Sequence, residues 1–361
     1  MSLQLPDKWI WDSWYVQDGG VTHAFYLHAS KALGDPDRRH RHPIVGHAVS
    51  HDLTTWTVVE DALIVSEPGA FDDGTTWTGS VVRDDDGLWW MFYTGTSRAE
   101  DTMVQRVGAA TSPDLMTWSK VSSAPLVEAD PRWYELLDRS LWHDQAWRDP
   151  WVFRFPGEAT WHMLITARAN HGDARVRGVL GHATSENLVD WAVQPPLSEP
   201  GQGFGQLEVF QFEIVDGVPV LLFCCGWAEL SPERQAAGEA GGVYSVVVDE
   251  RLAEVDFSRA QLFERTNLYA SRLVRAADGG WALLGFVNMV DGEFVGALSD
   301  PVLVTADLVR GLVPRVAAGA GAGAEVEAQA SDAGESDAGE ADARDRDDVD
   351  NDADLSVSAA R

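Results

Sequence analysis

The pattern G-x-A-x-S-x-[D/N]-L-x-x-W occurs three times, as GHAVSHDLTTW from Gly46 to Trp56, GAATSPDLMTW from Gly108 to Trp118 and GHATSENLVDW from Gly181 to Trp191. An eleven-residue unit that returns after 62 and then 73 residues marks one supersecondary element copied along a repeat architecture. Fainter copies open at Gly242 (GVYSVVVDERL) and Gly296 (GALSDPVLV), which brings the number of units to five. Ahead of each glycine lies an aromatic, β-rich run: Val21 to Ser30, Leu88 to Thr96, Thr160 to Arg168, Val218 to Gly226 and Trp281 to Asn288. Ahead of each run stands a turn signal such as Asp86-Gly87, Pro156-Gly157 or Asp216-Gly217, and before the turn comes another short strand-like segment. This spacing reads as antiparallel hairpins rather than βαβ units. Five four-stranded units arranged radially predict an all-β fold, a five-bladed β-propeller in which each blade hides its faces against its neighbours. The alternative is an open sandwich with chance similarity between its turns.

A propeller is one domain however many blades it has, so 361 residues need not be divided. The domain is expected over residues 1–316, followed by a disordered acidic Ala/Gly-rich tail over 317–361. From Ala317 onward there is no aromatic residue, and such a segment cannot bury enough surface to offset the entropy of ordering. The tail holds 13 acids against three arginines, a net −10 of the formal −30, which leaves −20 on the body. That field argues against nucleic acid or an anionic membrane as partner. Cys224 and Cys225 are adjacent on a predicted strand and point to opposite faces, so they read as packing residues rather than a disulfide or a metal knuckle. No Cys/His spacing calls for zinc and no acidic loop for calcium, so neither a metal nor another cofactor is expected. The N-terminus lacks the pattern of a secretory leader, and the expected location is cytoplasmic. The oligomeric state is not legible.

In each unit the segment before the first turn is the predicted innermost strand, which lines the central funnel. Those segments are Trp9 to Trp14, Trp77 to Ser80, Trp147 to Pro150, Gln206 to Phe210 and Tyr269 to Ser271. Three carry a carboxylate, Asp12, Asp149 and Glu208, in aromatic company where a charge is costly without a partner or a task. One such acid is readily a satisfied buried group. Three at equivalent inward positions of different blades point to chemistry.

These segments resemble clan J of the glycoside hydrolases, the fructosidase families 32 and 68. WDSW at Trp11 to Trp14 is similar to the nucleophile motif of levansucrases, and WTGS at Trp77 to Ser80 resembles their W-S-G-S segment. Arg148-Asp149-Pro150 matches the R-D-P motif of both families. Blade four departs, because Glu208 is followed by Val209-Phe210 where the families have E-R-P or E-C-P. The resemblance implies a retaining glycoside hydrolase of the β-fructofuranosidase type, with Asp12 as nucleophile, Asp149 holding fructose hydroxyls and Glu208 as general acid/base. Attack by one carboxylate and proton donation by another suit the oxocarbenium-like state of a ketofuranoside. Apolar neighbours and like charge are expected to favour protonated Glu208, while Thr78, Ser80 or backbone amides keep Asp12 ionised.

Trp11 and Trp77 are read as walls of the fructose subsite, with Thr78, Ser80, Arg148, Gln206, Trp227 and Tyr269 as further substrate-binding candidates. Trp56, Trp118 and Trp191, by contrast, are read as blade-packing residues. The stretch from Val121 to Ala146, with Trp133, Tyr134, Trp142 and His143, is expected to wall the funnel mouth, and the blade-four insert Ala228 to Gly241 to be a lid, an oligomer contact or a solvated loop. The basic run Arg38 to His42 reads first as a solvated hairpin tip, with a phosphate or partner contact as the alternative.

The expected partner is a small fructoside, sucrose or a short fructo-oligosaccharide, hydrolysed rather than polymerised. Gln206 stands where levansucrases have an acid, and Cys224-Cys225-Gly226-Trp227 where they have an arginine. The other readings are a levansucrase-type fructosyltransferase, an inverting arabinofuranosidase or xylosidase of family 43, and a catalytically silent sugar-binding propeller.

Overall fold

The computed structural model describes residues 2–263 and 267–315. The predicted tail at 317–361 lies outside them. Five antiparallel sheets follow one another along the chain. Blade one is β1 (Lys8–Asp18), β2 (Val21–Ser30), β3 (Ile44–Ser50) and β4 (Thr57–Val58). Blade two is β5 (Thr75–Arg83), β6 (Trp89–Thr96), β7 (Gln105–Ser112) and β8 (Ser119–Lys120). Blade three is β9 (Trp147–Phe153), β10 (Trp161–Arg168), β11 (Gly178–Ser185) and β12 (Trp191–Gln194). Blade four is β13 (Glu208–Val215), β14 (Val218–Cys225), β15 (Gly242–Val247) and β16 (Gln261–Leu262). Blade five is β17 (Leu268–Arg275), β18 (Trp281–Val290), β19 (Glu293–Leu298), β20 (Val302–Asp307) and β21 (Gly311–Pro314). Here the third strand position is split, with β19 and β20 pairing successive stretches of β18 around Pro301.

The first strands pack side by side in the order β1, β5, β9, β13, β17 and back to β1, which closes a five-bladed propeller. Each blade is a continuous stretch of chain, so no sheet is shared across the joint between blades five and one. That joint is held by packing and by the N-terminal residues: Leu298 N–H donates to Leu3 O at 2.9 Å and Ser2 Oγ to Ser299 O at 2.6 Å. The second strands are buried on both faces because each blade is sandwiched between two others, which is why they read as unbroken aromatic and aliphatic runs. Cys224 and Cys225 are free and buried, one in the core between blades four and five and the other between blades three and four. Among the described residues no helix is long and apolar enough to cross a membrane.

The repeated motif builds the turn from third to fourth strand. In the third copy Ser185 Oγ accepts from Leu188 N–H at 3.0 Å, and Asn187 Oδ1 accepts from Val189 and Asp190 N–H at 3.0 and 2.8 Å. Asp52 and Asp114 do the same in the first two copies. These side-chain bonds hold the motif leucines, Leu53, Leu115 and Leu188, buried at φ of 64°, 66° and 65°. The motif glycine leaves room for an aromatic ring: a Cβ on Gly46 would lie 2.5 Å from Tyr26, and one on Gly108 2.3 Å from Phe71. The motif tryptophan packs on the preceding blade, Trp118 edge-on to Phe25 and Trp191 edge-on to Phe92, each at 5.5 Å.

Candidate active site

Every innermost strand breaks register with its neighbour near its start. The breaks fall between Ile10 and Ser13, Trp77 and Gly79, Arg148 and Trp151, Glu208 and Gln211, and Tyr269 and Arg272. A bulge swivels side chains out of strict alternation, and here it turns them toward the axis. Asp149, Val209 and Ala270 lie in these bulges with φ of 58°, 59° and 43°. For a buried β-branched residue such as Val209 this is a rare conformation. It is pinned from below by Arg272, whose buried guanidinium donates to the carbonyls of Val209 and Phe210 and, at 3.2 Å, to Gly79 O.

The bulges open on one cavity of about 370 Å³. Asp12, Asp149 and Glu208 line it from blades one, three and four, together with Trp11, Trp77, Thr78, Arg148, Gln206, Trp227 and Tyr269. Ser80 is the exception among the residues singled out from sequence. It is buried outside the cavity, and its hydroxyl accepts from Val152 N–H at 3.0 Å. The bulge at Thr78 changes the parity of the strand, so Ser80 does not share the face of Thr78.

Thr78 Oγ1 donates to Asp12 Oδ2 at 2.5 Å, and among the described residues Asp12 Oδ1 accepts no hydrogen bond. Burial pushes Asp12 up to about 6 with help from Glu208, against the Thr78 bond and the charges of Arg39 and Arg272. Asp149 is pushed up to about 7, again by burial, with Arg148 opposing and Asp12 and Glu208 adding. Its Oδ2 accepts from Thr166 Oγ1 at 3.0 Å. Glu208 is not left to apolar neighbours: Arg148 Nη2 donates to Oε1 at 2.5 Å and the Tyr269 hydroxyl donates to Oε2. Arg148 also donates to Gln105 at 3.1 Å and to Gln206. Burial works against the Arg148 charge, but Glu208, Asp144 and Asp149 more than offset it and raise its pKa.

The 121–146 stretch, expected to wall the funnel mouth, brings His143 to the cavity and with it Asp144, which the sequence reading did not single out. Its Trp142 packs instead under Arg168, 3.7 Å from ring centre to guanidinium, and Tyr134 is buried in the core. The blade-four insert contributes Glu229, Ala240 and Gly241, and burial with the nearby Glu208 pushes Glu229 up to about 7. The basic run is solvated only in part: Arg38, Arg41 and His42 are exposed, but Arg39 and His40 are not. It forms a 3-10 helix, Pro36–Arg41, and turns Arg39 and His40 into the cavity. The Asp35-Pro36 start, a helix-capping pair, was the available signal.

A ring of five blades with three carboxylates gathered in its axial cavity has the architecture of the propeller glycoside hydrolases. The chain belongs to glycosyl hydrolases family 32: the N-terminal domain of that family matches residues 6–301. An insoluble β-fructofuranosidase isoenzyme of Arabidopsis thaliana, CWINV6, is 28% identical over 197 residues, covering 54% of this chain and 32% of the plant protein. The raffinose invertase of Escherichia coli is 24% identical over 310 residues, covering 80% of this chain and 57% of that enzyme. The chain thus spans about a third to just over half the length of these relatives. Among solved structures, the inulosucrase from Halalkalicoccus jeotgali bound to kestose superposes with a TM-score of 0.67 at 23% identity, over 84% of this chain and 86% of the other.

Proposed function

We propose that the chain hydrolyses β-fructofuranosides with retention of configuration. The observation that carries this reading is the convergence of Asp12 and Glu208, with Asp149, in one cavity of a family 32 domain. Asp12 Oδ1, left unpaired by the Thr78 bond to Oδ2, attacks the anomeric carbon. The bond to the leaving sugar breaks as Glu208 gives its proton to the departing oxygen. Water then attacks the fructosyl-enzyme, and Glu208 takes the proton back. Asp149 accepts hydrogen bonds from fructose hydroxyls while Arg148 and Thr166 hold it in place. Trp11 and Trp77 form the apolar walls, and Gln206 and Trp227 border the leaving group.

The invertase and fructofuranosidase relatives support sucrose or a short fructo-oligosaccharide as substrate. The uncharged side chains of Gln206 and Trp227 on that side of the wall support water over a sugar acceptor. The test is incubation with sucrose, 1-kestose, inulobiose, levanbiose and an aryl arabinofuranoside, with NMR of the first anomer released. β-Fructofuranose as the first product is expected. Release of the α anomer, cleavage of only the arabinoside, or no cleavage at all overturns the reading, and polymeric fructan as main product overturns hydrolysis.

A further inference from the structure

The blade-one wall of the cavity is built from the connection between β2 and β3. Asp35 caps its 3-10 helix by accepting from Asp37 N–H at 2.9 Å. Trp77 of blade two donates its indole N–H to His40 O at 3.0 Å, and Arg41 pairs with Asp101 of blade two at 3.0 Å. The segment is thereby tied across two blades, which fixes the side chains between the ties. Arg39 is only 7% exposed. Its Nη1 donates to Pro36 O at 2.8 Å and Asp37 Oδ1 at 3.3 Å, and its guanidinium lies 4.0 Å from the ring centre of Phe294 and 5.8 Å from that of Trp11.

Among the described residues, neither Nε nor Nη2 of Arg39 has a hydrogen-bond partner. These two nitrogens share one edge of the guanidinium, the edge that grips a pair of oxygens side by side. A buried charged donor left unpaired is costly, so a partner is expected to arrive from the cavity that Arg39 lines. His40 beside it, edge-on to Trp11, likewise has no side-chain hydrogen bond among the described residues.

We infer that Arg39 is a specificity-determining residue that donates from its Nε/Nη2 edge to two oxygens of the furanosyl unit attacked by Asp12, with His40 closing the same wall. The placement sets which sugar it meets. Arg39 lies 5.8 Å from the Trp11 ring and its charge acts on Asp12, whereas Asp144 accepts from Gln206 at 3.4 Å and Glu229 shares a 3-10 turn with Trp227, the side read above as bordering the leaving group. The charge of the cavity sets the chemistry of the oxygens. Asp12, Asp144, Asp149, Glu208 and Glu229 outnumber Arg39 and Arg148 among the lining residues, a field that repels an anionic substituent and accepts neutral hydroxyls.

This inference rests on the fructoside reading, and its test separates the two. Wild type, Arg39→Lys and Arg39→Gln are compared for melting temperature, for kcat/KM on sucrose, 1-kestose and an aryl fructofuranoside, and for inhibition by 2,5-anhydro-D-mannitol, a furanose that cannot be cleaved. Arg39→Gln is expected to raise the inhibition constant about tenfold to a hundredfold, the size of one to two bonds from a charged donor. It should lower kcat/KM by a similar factor on all three substrates. Arg39→Lys, which keeps the charge but loses the two-donor edge, should fall between. An unchanged inhibition constant in folded Arg39→Gln, or losses that vary with the leaving group, overturns the assignment. So does tighter binding of fructose 6-phosphate than fructose that vanishes in Arg39→Gln, which would make the site an anion site. A wild type that neither cleaves a fructoside nor binds the anhydrosugar overturns the fructoside reading and this inference with it.

Discussion

The outer turns and the inner bulges of the same blades follow opposite rules. At the rim, three turns repeat one sequence and one geometry, down to leucines that share a φ of 64° to 66°. At the axis, all five first strands are bulged at the same place with five different sequences, Trp11-Asp12, Thr78, Asp149-Pro150, Val209-Phe210 and Ala270-Ser271, and only Asp149, Val209 and Ala270 of these take a positive φ. The rim residues serve the packing of one blade on the next, a task that is the same all round the ring. Of the axial residues, Trp11, Asp12, Thr78 and Asp149 face one shared cavity from three different blades, while Val209, Phe210, Ala270 and Ser271 are buried beside it. Repetition of shape with divergence of side chain is how a symmetric ring acquires an asymmetric site.

The comparison is sharpest in function. Asp12→Asn and Glu208→Gln should each lower kcat on sucrose by at least about a thousandfold, since each removes one half of a two-carboxylate mechanism. Melting temperature should hold or, for Asp12→Asn, rise, because burial already disfavours that charge. Near-normal turnover in either variant would strip the bulges of their assigned chemistry.

The next effect is with pH. Asp12 must be ionised to attack, so kcat/KM should fall about tenfold per unit as pH drops below about 6. Stability should move the other way. The folded-state pKa values of Asp12 and Asp149 lie above the ordinary carboxylate value of 3.8, so between about pH 4 and 6 the folded chain binds more protons than the unfolded one. These two groups therefore add stability as pH falls through that window. A kcat/KM profile flat to pH 4 would count against Asp12 as nucleophile.

At the rim the effects shrink. Ser185→Ala deletes the acceptor of the Leu188 amide and should cost about 1 kcal/mol in chemical denaturation while leaving kcat/KM unchanged. A drop in kcat/KM without loss of stability would mean that the turns reach the site. Smallest of all, replacing residues 113–117 (PDLMT) by residues 51–55 (HDLTT) should alter neither melting temperature nor activity measurably, because both segments close the same turn. A fall of several degrees would show that the repeats are not interchangeable.

Rim and axis also differed in how far they could be read. The hairpin turns and double-sided apolar runs placed the second strands almost residue for residue, as with Val21–Ser30. The inward strands followed from the turns, and with them Asp12, Asp149 and Glu208. The bulges did not, because a bulge is a relation between two strands and leaves no local propensity. Ser80 was singled out from the WTGS segment as a partner of Asp12 or the sugar, and the bulge at Thr78 turns it out of the cavity instead. Arg39 and His40 were misread because a basic run in an acidic chain looks solvated, and the indole of Trp77 that ties it down belongs to the next blade.

The joint between blades five and one has a mechanical meaning. Four of the five seams in the ring are crossed by the covalent chain, whereas this one is held by Ser2, Leu3, the Gln17 side chain, which donates to Arg275 O at 2.9 Å, and side-chain packing. The cavity straddles it, with Trp11, Asp12 and Arg39 on one bank and Tyr269 and Phe286 on the other, and Arg39 stacks on Phe294 directly across. A ligand held between those banks would act as a tie-rod over the seam that the covalent chain does not cross, so that filling the cavity would also resist opening of the ring.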